Sequence, residues 1–238
     1  MKKTLFVIAA AAIAIVTATS PASSAPPLPE EGKALPELKP AYSRNLLRVG
    51  EAARIKLDEN RTTGYLWHYE FTMGGVVEVV SDRYIVDPRY ADRIGAGGTR
   101  HITLQAAKPG KTVIDLVRRR GNDVADTAAY HISVIPAYPE LEPERTNKLA
   151  VGDYAMLVLY ENSSVGDDHS YEITGAAVKA TADEYISDPG EEDWTGVGYV
   201  RYIVFEAIEP GEAVIDLVYE YRGEVEWEKR YHITSSLP

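Results

Sequence analysis

The residues whose side chains are best suited to chemistry form one short run, Asp167-Asp168-His169, with two carboxylates and an imidazole of the kind that bind metal ions. Adjacent residues on a loop rarely converge on one ion, so we interpret this run as a solvated polar turn. The chain contains no cysteine, no Gly-x-Ser-x-Gly, no His-Glu-x-x-His and no phosphate-binding glycine loop before a helix. We therefore predict no catalytic residue, no metal site and no cofactor, and a protein that is not an enzyme.

The charge is unevenly distributed along the chain, whose net charge is -11. Lys and Arg number 14 against 11 Asp and Glu in residues 41–137, but 7 against 22 in residues 138–238. Such an acidic second half disfavours nucleic acid and anionic lipid, so we expect neither as a partner. Solubility alone is the competing explanation for the surplus of carboxylates.

Residues 1–25 have the layout of a secretory signal peptide, with two lysines, an apolar run and small residues before Pro26. The apolar run is short for a membrane span, so we expect a secreted or periplasmic chain without membrane insertion of its mature form. Residues 26–40 predict an extended, Pro-rich leader. Because the chain has no cysteine, its stability must come from its apolar cores.

One unit of the sequence occurs twice. Pro109-Gly110-Lys111-Thr112-Val113-Ile114-Asp115-Leu116-Val117 matches Pro210-Gly211-Glu212-Ala213-Val214-Ile215-Asp216-Leu217-Val218, and Tyr130-His131-Ile132 matches Tyr231-His232-Ile233. Such collinear matches indicate two copies of one domain, which we place at residues 41–137 and 138–238. His131 and His232 occupy equivalent positions, which favours a structural role for both.

Each copy consists of short segments rich in β-branched and aromatic residues, separated by clusters of Gly, Pro, Asn and Asp. Several segments alternate apolar with polar residues, as half-buried strands do. About seven such strands per copy predict an all-β fold of two tandem immunoglobulin-like antiparallel β-sandwich domains. In the first copy they include Ala53–Leu57, Val76–Val80, His101–Leu104, Val113–Val117 and Tyr130–Val134.

Three turn-forming stretches of the first copy are candidate recognition loops. They are Asn60-Arg61-Thr62-Thr63-Gly64-Tyr65-Leu66-Trp67, Gly95-Ala96-Gly97-Gly98 and Arg118-Arg119-Arg120-Gly121-Asn122. Taken singly, each has a purely local explanation: a tight turn, a flexible hairpin tip and a solvated charge run.

Taken together and in this order, the stretches resemble the chagasin family, which inhibits papain-like cysteine proteases. The similarity extends from about Val49 to about Val134 and includes Asn60-x-Thr62-Thr63-Gly64-Tyr65-x-Trp67 and Gly95-Ala96-Gly97-Gly98-Thr99. The resemblance implies an immunoglobulin-like sandwich whose three loops lie side by side at one end. It also implies a papain-like cysteine protease as the partner, with the loops acting as a wedge in its active-site cleft.

The resemblance assigns the protease contacts to residues of all three loops. We expect Trp67, and by the same argument Tyr65, to anchor the base of the first loop, because large aromatic residues beside a turn usually pack inward. The implied protease-binding residues are Asn60, Arg61, Thr62, Thr63, Gly64 and Tyr65 at the centre, Gly95, Ala96, Gly97 and Gly98 on one flank, and Arg118, Arg119 and Arg120 on the other.

Two departures from the family pattern predict weaker or redirected inhibition. Arg61 replaces a proline, which costs about 0.4–1 kcal/mol of preorganisation. Arg120-Gly121-Asn122 stands where the family has Arg-Pro-Trp, and an interface tryptophan is often worth about 2 kcal/mol or more. We hypothesise that Arg61 and Arg118–Arg120 compensate by pairing with acidic groups on a particular target.

The second copy keeps the strand residues better than the loop residues. Asn162 to His169 stands where Asn60 to Trp67 stood, Gly196-Val197-Gly198-Tyr199 replaces the four-residue glycine loop, and Tyr221 replaces Arg120. We expect this domain to fold like the first but to inhibit papain-like enzymes poorly. The alternative for the whole chain is a non-inhibitory binding or scaffold module.

Overall fold

The computed structural model describes residues 34–72, 74–90, 93–187 and 198–238. Fourteen β-strands and three short 3-10 turns make up the regular structure of these residues, which include no α-helix. Within the same ranges, no helix has the length and apolar character needed to cross a membrane. The predicted signal peptide and most of the predicted leader lie outside the described residues.

Seven strands build the first domain, as predicted. They are β1 (Ala41–Arg48), β2 (Ala52–Glu59), β3 (Leu66–Phe71), β4 (Val77–Val86), β5 (Gly98–Ala106), β6 (Gly110–Arg120) and β7 (Asp123–Ile135). They form a four-stranded sheet in the order β1-β7-β6-β3 and a three-stranded sheet in the order β2-β5-β4.

The second domain repeats this arrangement. Its strands are β8 (Thr146–Ala150), β9 (Tyr154–Glu161), β10 (Asp167–Thr174), β11 (Val178–Ser187), β12 (Tyr199–Ala207), β13 (Gly211–Tyr221) and β14 (Glu224–Ser236). The sheet orders are β8-β14-β13-β10 and β9-β12-β11, so the fold is two tandem immunoglobulin-like sandwiches.

Alternating side chains on each strand form the two cores. On β2, Ala53, Ile55 and Leu57 are buried while the intervening residues face outward. They pack against residues of the opposite sheet such as Ile114 and Leu116 on β6. Burial of each such leucine or isoleucine side chain contributes about 1.5–3 kcal/mol, so the apolar core stabilises the domain without a disulfide.

Two features of the strands differ from the prediction made from the sequence. Each four-stranded sheet carries one parallel edge strand, because β1 pairs parallel to β7 and β8 parallel to β14, whereas the other strand pairs are antiparallel. Strand β6 extends to Arg120, so the prediction of a turn at Arg118–Arg120 was wrong. The antiparallel pairing with β7 continues to Arg120 opposite Asp123, and the turn itself begins at Gly121.

The outward face of the three-stranded sheet is polar in the first domain and apolar in the second, although the strands pair in the same register. Six polar residues of the first domain are replaced by six apolar or aromatic residues in the second. On β2 and β5 the outward residues are Arg54, Lys56, Asp58, Thr99, His101 and Thr103, and on β9 and β12 they are Met156, Val158, Tyr160, Val200, Tyr202 and Val204.

This apolar face of the second domain contacts the first domain. Leu46 and Ile135, near the ends of β1 and β7, join Met156, Tyr202 and Val204 in one hydrophobic cluster. Ile135 and Met156 are both 0% exposed. Since the first domain's equivalent face is polar, the contact depends on a substitution pattern that only the second copy carries.

Residues beside the linker extend the contact. The rings of Tyr138 and Tyr154 stack with their centroids 5.1 Å apart. The Arg48 guanidinium forms an ion pair with Glu140 and also donates a hydrogen bond of 3.5 Å to the Tyr138 carbonyl. The segment that joins the two domains therefore lies against both of them.

Candidate functional site

Three connections meet at one end of the first domain. Loop L1 (residues 60–65) joins β2 to β3, loop L2 (residues 87–97, of which 91 and 92 are not described) joins β4 to β5, and loop L3 (residues 121–122) joins β6 to β7. The antiparallel strand order brings the three predicted loops together at this end, opposite the linker to the second domain.

A capped 3-10 turn, Arg61–Thr63, forms the tip of L1. The Asn60 carboxamide oxygen accepts hydrogen bonds from the Thr62 backbone N–H at 3.1 Å and from the Thr62 hydroxyl at 2.7 Å. The Thr63 hydroxyl donates to the Asn60 carbonyl at 2.7 Å. Gly64 ends the turn in the left-handed region with a φ of 77°, a conformation that favours glycine. The turn is exposed, yet its shape is fixed internally.

L2 is attached to L1 through Asn60. The Asn60 carboxamide nitrogen donates to the Gly95 carbonyl at 2.9 Å, so one side chain holds both loops. Gly97 lies close to Asn60, since a Cβ on Gly97 would be 3.7 Å from the Asn60 Cβ. Gly98 begins β5 so near to the Ile85 carbonyl oxygen that no Cβ fits there. The glycines of L2 therefore allow its backbone to lie close to L1 and to strand β4.

L3 is attached to L1 through Arg120 and Tyr65. The Arg120 guanidinium lies 4.7 Å from the centroid of the Tyr65 ring, a cation–π distance. The Tyr65 hydroxyl donates to the Asp123 carboxylate across the L3 turn. This hydrogen bond raises the pKa of Tyr65 above its usual value of 10.0. The three loops thus form one connected unit.

The base of L1 is formed by Trp67, which is 6% exposed. Its indole N–H donates to the Asp58 carbonyl at 3.0 Å. Arg118 lies beneath the loops, with its guanidinium 5.5 Å from the centroid of the Trp67 ring and 3.5 Å from the Asp126 carboxylate. Arg119 is exposed on the outer sheet face opposite Leu66. Of the three predicted arginines, Arg120 alone reaches the L1 turn.

Sequence reasoning missed a buried acidic residue below the turn. The Glu59 side chain is 1% exposed and accepts a hydrogen bond from Arg61 Nε at 2.9 Å and another from the Trp67 backbone N–H at 3.0 Å. Its signal was present in the sequence, because the inward alternation of Ala53, Ile55 and Leu57 continues to Glu59. A carboxylate in an inward position requires buried partners.

The second copy retains the backbone of the turn. Ser163–Val165 form a 3-10 turn, and Gly166 follows it with a φ of 82°. The Ser164 hydroxyl donates to the Asn162 carboxamide oxygen at 2.5 Å, as Thr62 does to Asn60. The Gly166 carbonyl accepts from the Arg222 N–H at 2.7 Å. The surface chemistry differs, however, since the exposed Val165 stands where Thr63 stood. Two residues of the predicted loop copy, Gly196 and Val197, lie outside the described residues.

Among the described residues, no group of three or more His, Cys, Asp or Glu side chains is placed to hold a metal ion. The predicted polar run Asp167-Asp168-His169 begins strand β10 and does not form a turn. His169 is 8% exposed and packs against the stacked rings of Tyr219 and Trp227, so the prediction of a solvated turn was wrong. Fold and site together define an immunoglobulin-like protein that presents three linked loops at the end of its first domain.

Comparison with known proteins specifies the family. The profile of the chagasin family peptidase inhibitors (I42) matches residues 47–134 and again residues 148–235. Chagasin from Trypanosoma cruzi is 32% identical over 77 residues, which cover 30% of this chain and 67% of that protein. Because the profile accounts for most of the chain, the chain belongs to the chagasin family, with two family domains in tandem. Its class is peptidase inhibitor rather than enzyme.

Solved structures add only distant similarities. A cysteine protease inhibitor from Entamoeba histolytica shares 21% identity with a TM-score of 0.35, covering 42% of this chain and 88% of its own. A tandem immunoglobulin module of a Drosophila receptor protein tyrosine phosphatase shares 11% identity with a TM-score of 0.29, covering 84% of this chain and 96% of its own. The immunoglobulin-like fold is defined by the strand pairing described above.

Proposed function

We propose that this chain is a reversible inhibitor of papain-like cysteine proteases and that the loop end of its first domain, residues 41–137, enters the active-site cleft. The observation that carries the proposal is the linked loop end, in which Asn60 holds the exposed Thr62, Thr63 and Gly64 turn while joining it to Gly95. A turn whose shape is set before binding loses little conformational entropy in the complex.

The flanking loops complete the proposed wedge. Gly95–Gly98 allow a close backbone approach on one side, and Arg120 extends from the other side with a side chain that is 60% exposed. The turn hydroxyls are directed to Asn60 within the inhibitor, so the tip is stabilised without any contribution from the protease. Affinity then comes from shape and burial, and no covalent step is required.

We also propose that residues 1–25 direct export and that the mature chain, beginning near Pro26, acts outside the cytoplasm. Fractionation of expressing cells and N-terminal sequencing of the exported product test this point. Recovery of the uncleaved chain in the cytoplasmic fraction would contradict it.

Titration of the mature chain against papain and other papain-like proteases tests the inhibitory function. We expect inhibition that is relieved by dilution, and we expect Thr63→Glu to weaken it by at least about tenfold, because a charge would be buried in the cleft. The matched change in the second copy, Val165→Glu, should leave inhibition unchanged. Absence of inhibition at micromolar wild-type protein would favour a non-inhibitory binding or scaffold module instead.

A further inference from the structure

The backbone of Trp67 is held from both sides by charged groups, the buried Glu59 and the partly buried Arg100. Its N–H donates to Glu59 at 3.0 Å, and its carbonyl accepts a hydrogen bond from the Arg100 guanidinium. Arg100 is itself fixed by the Asp82 carboxylate through two hydrogen bonds of 2.8 and 2.6 Å. These bonds fix the position at which the chain leaves L1 and enters β3.

Glu59 also controls the other end of the turn. Its second oxygen accepts from Arg61 Nε at 2.9 Å, and the Arg61 guanidinium lies 4.2 Å from the centroid of the Tyr84 ring. The Tyr84 hydroxyl in turn donates to the Glu59 carbonyl at 3.2 Å. One carboxylate therefore joins the first residue of the 3-10 turn to the residue that anchors its exit.

The second copy shows which part of this arrangement is general. Glu161 is again fully buried, and Arg201 again bonds both oxygens of Asp183, at 2.7 and 2.8 Å. Arg201 also donates to the His169 carbonyl at 2.7 Å, as Arg100 does to Trp67. The carboxylate–guanidinium–carboxylate arrangement beneath the loop is thus a property of both domains.

The hydrogen bonds from both ends of the loop to the buried carboxylate, in contrast, occur in the first copy. In the second copy the Nδ1 atom of His169 lies 3.2 Å from Glu161 but makes no hydrogen bond. Ser163 replaces Arg61 and cannot supply a guanidinium, and the N–H of His169 donates to Asp168 at 2.9 Å. As a result, one oxygen of Glu161 is buried without a hydrogen-bond partner. Leaving a buried charged oxygen unpaired is destabilising, so the partners of Glu59 matter to the first domain.

We propose that Glu59 is a positioning residue for inhibition, which sets the L1 turn in its binding shape by holding Arg61 and the Trp67 backbone together. This inference rests on the proposed function, and Glu59 acts without touching the protease. Its buried position separates it from the exposed residues that make the contact. Arg61 stands where the family pattern has a proline. Because Glu59 holds Arg61, the two residues together restrict the turn at the position that the proline would restrict.

The test compares Glu59→Gln with the matched Glu161→Gln in the full mature chain. Glutamine can still accept from the Trp67 N–H, but its amide nitrogen opposes Arg61 Nε as donor against donor. We expect the association rate with papain to fall by about tenfold in Glu59→Gln, which corresponds to the loss of one charge-assisted bond, and to change less than about twofold in Glu161→Gln. Glu59→Gln should lose more thermal stability than Glu161→Gln, because it breaks a bond to Arg61 that the second copy lacks.

A second readout keeps the positioning role separate from inhibition. The ¹⁵N relaxation of residues 61–64 should report a rigid turn in the wild type and in Glu161→Gln, and faster motion in Glu59→Gln. Wild-type protein that fails to inhibit while its turn loosens in Glu59→Gln would overturn the inhibitory function alone. Unchanged turn motion and an unchanged association rate in Glu59→Gln would overturn the positioning role.

A double-mutant cycle with Arg61→Ala identifies the route of the effect. If Glu59 acts through Arg61, the loss of inhibition in the double variant should be smaller than the sum of the losses in the two single variants, because both changes break the same interaction. Fully additive losses in the two single variants would show that Glu59 does not act through Arg61 and would contradict this part of the inference.

Discussion

The Arg120 side chain lies across Gly64, and its Cδ is 3.2 Å from the position that a Cβ on Gly64 would occupy. Two loops thus meet at a residue that already needs the left-handed backbone region, with a φ of 77°. Gly64→Ala should therefore disturb both the conformation of the turn and the position of the Arg120 side chain. We expect a stability loss of about 1 kcal/mol and inhibition at least about tenfold weaker. Inhibition assays and thermal unfolding measure the two effects.

Gly74→Ala is the control for this change. A Cβ on Gly74 would have no heavy atom within 4 Å, and the backbone there is not in the left-handed region. The variant should leave inhibition and stability near wild-type values. Equal losses of inhibition in both variants would show that the geometry at Gly64 is unimportant.

Asn60→Ala should loosen two loops at once. It removes the cap on the Thr62 N–H, the bond to the Thr62 hydroxyl and the link to the Gly95 carbonyl. The loss of such a cap costs about 1 kcal/mol, and we expect weaker inhibition on top of that loss of stability. Asn162→Ala is the matched control, since Asn162 makes no side-chain cap bond to the backbone of its turn. Equal thermal midpoints for the two variants would contradict the hub role of Asn60.

Arg120→Gln tests the hypothesis that arginines pair with acidic groups on the target. The association rate with a susceptible protease should fall, and the difference from wild type should shrink as salt is raised, because exposed charges are screened. Arg119→Gln removes the same charge from the outer sheet face, away from the L1 turn, and should have less effect. Equal changes in the rate for both variants at every salt concentration would show that the pairing does not depend on the position of Arg120 at the loop end.

Met156→Arg installs in the second domain the residue that the first domain has at the equivalent position. Met156 is fully buried beside Ile135, so the variant places an unpaired charge in the contact between the domains. We expect the two domains to unfold in separate calorimetric transitions, whereas the wild type should unfold in one. A single unshifted transition in the variant would show that the contact contributes little to stability.

His101 should make the first domain sensitive to mildly acidic pH. Partial burial, together with the charges of Arg54 and Lys56, lowers the pKa of His101 below its usual 6.5, against a small opposing effect of Glu37. The unfolded chain then binds the proton more readily than the folded one. Stability should be constant above about pH 6.5 and should decrease as pH falls through this value.

Thermal midpoints measured from pH 8 to pH 5 check this expectation. The slope should disappear in His101→Gln and become smaller in Lys56→Ala, which removes one repelling charge. A slope that persists in His101→Gln would assign it to another group.

The strands were predictable because the alternation of apolar and polar residues and the turn-forming residues between strands are local features of the sequence. The direction of β1 was not, since a strand such as Ala41–Arg48 has the same alternation whether its partner runs parallel or antiparallel. The arginines were misplaced because charged residues often mark turns, while here Arg118 and Arg119 continue a strand that pairs with β7. Pairing between distant segments decides such cases, and composition does not report it.

The loops of the candidate site were predictable from the sequence, but the buried residues that hold the loops in place were not. Asn60 and Gly64 have turn chemistry that sequence reveals, whereas the partners of Glu59 come from β3 and from L1 itself and depend on the assembled fold. The inward alternation of β2 continues to Glu59, and this pattern in the sequence predicts a buried acid at that position.

The apolar outer face of the second domain also bears on how this chain can evolve. While the two sandwiches remained joined, residues such as Met156 and Val204 could replace polar ones without exposing an adhesive sheet to water. Once that exchange had occurred, a second domain set free by gene truncation or proteolysis would present this face to other molecules and tend to aggregate. The apolar face thus makes the solubility of the second domain depend on the presence of the first.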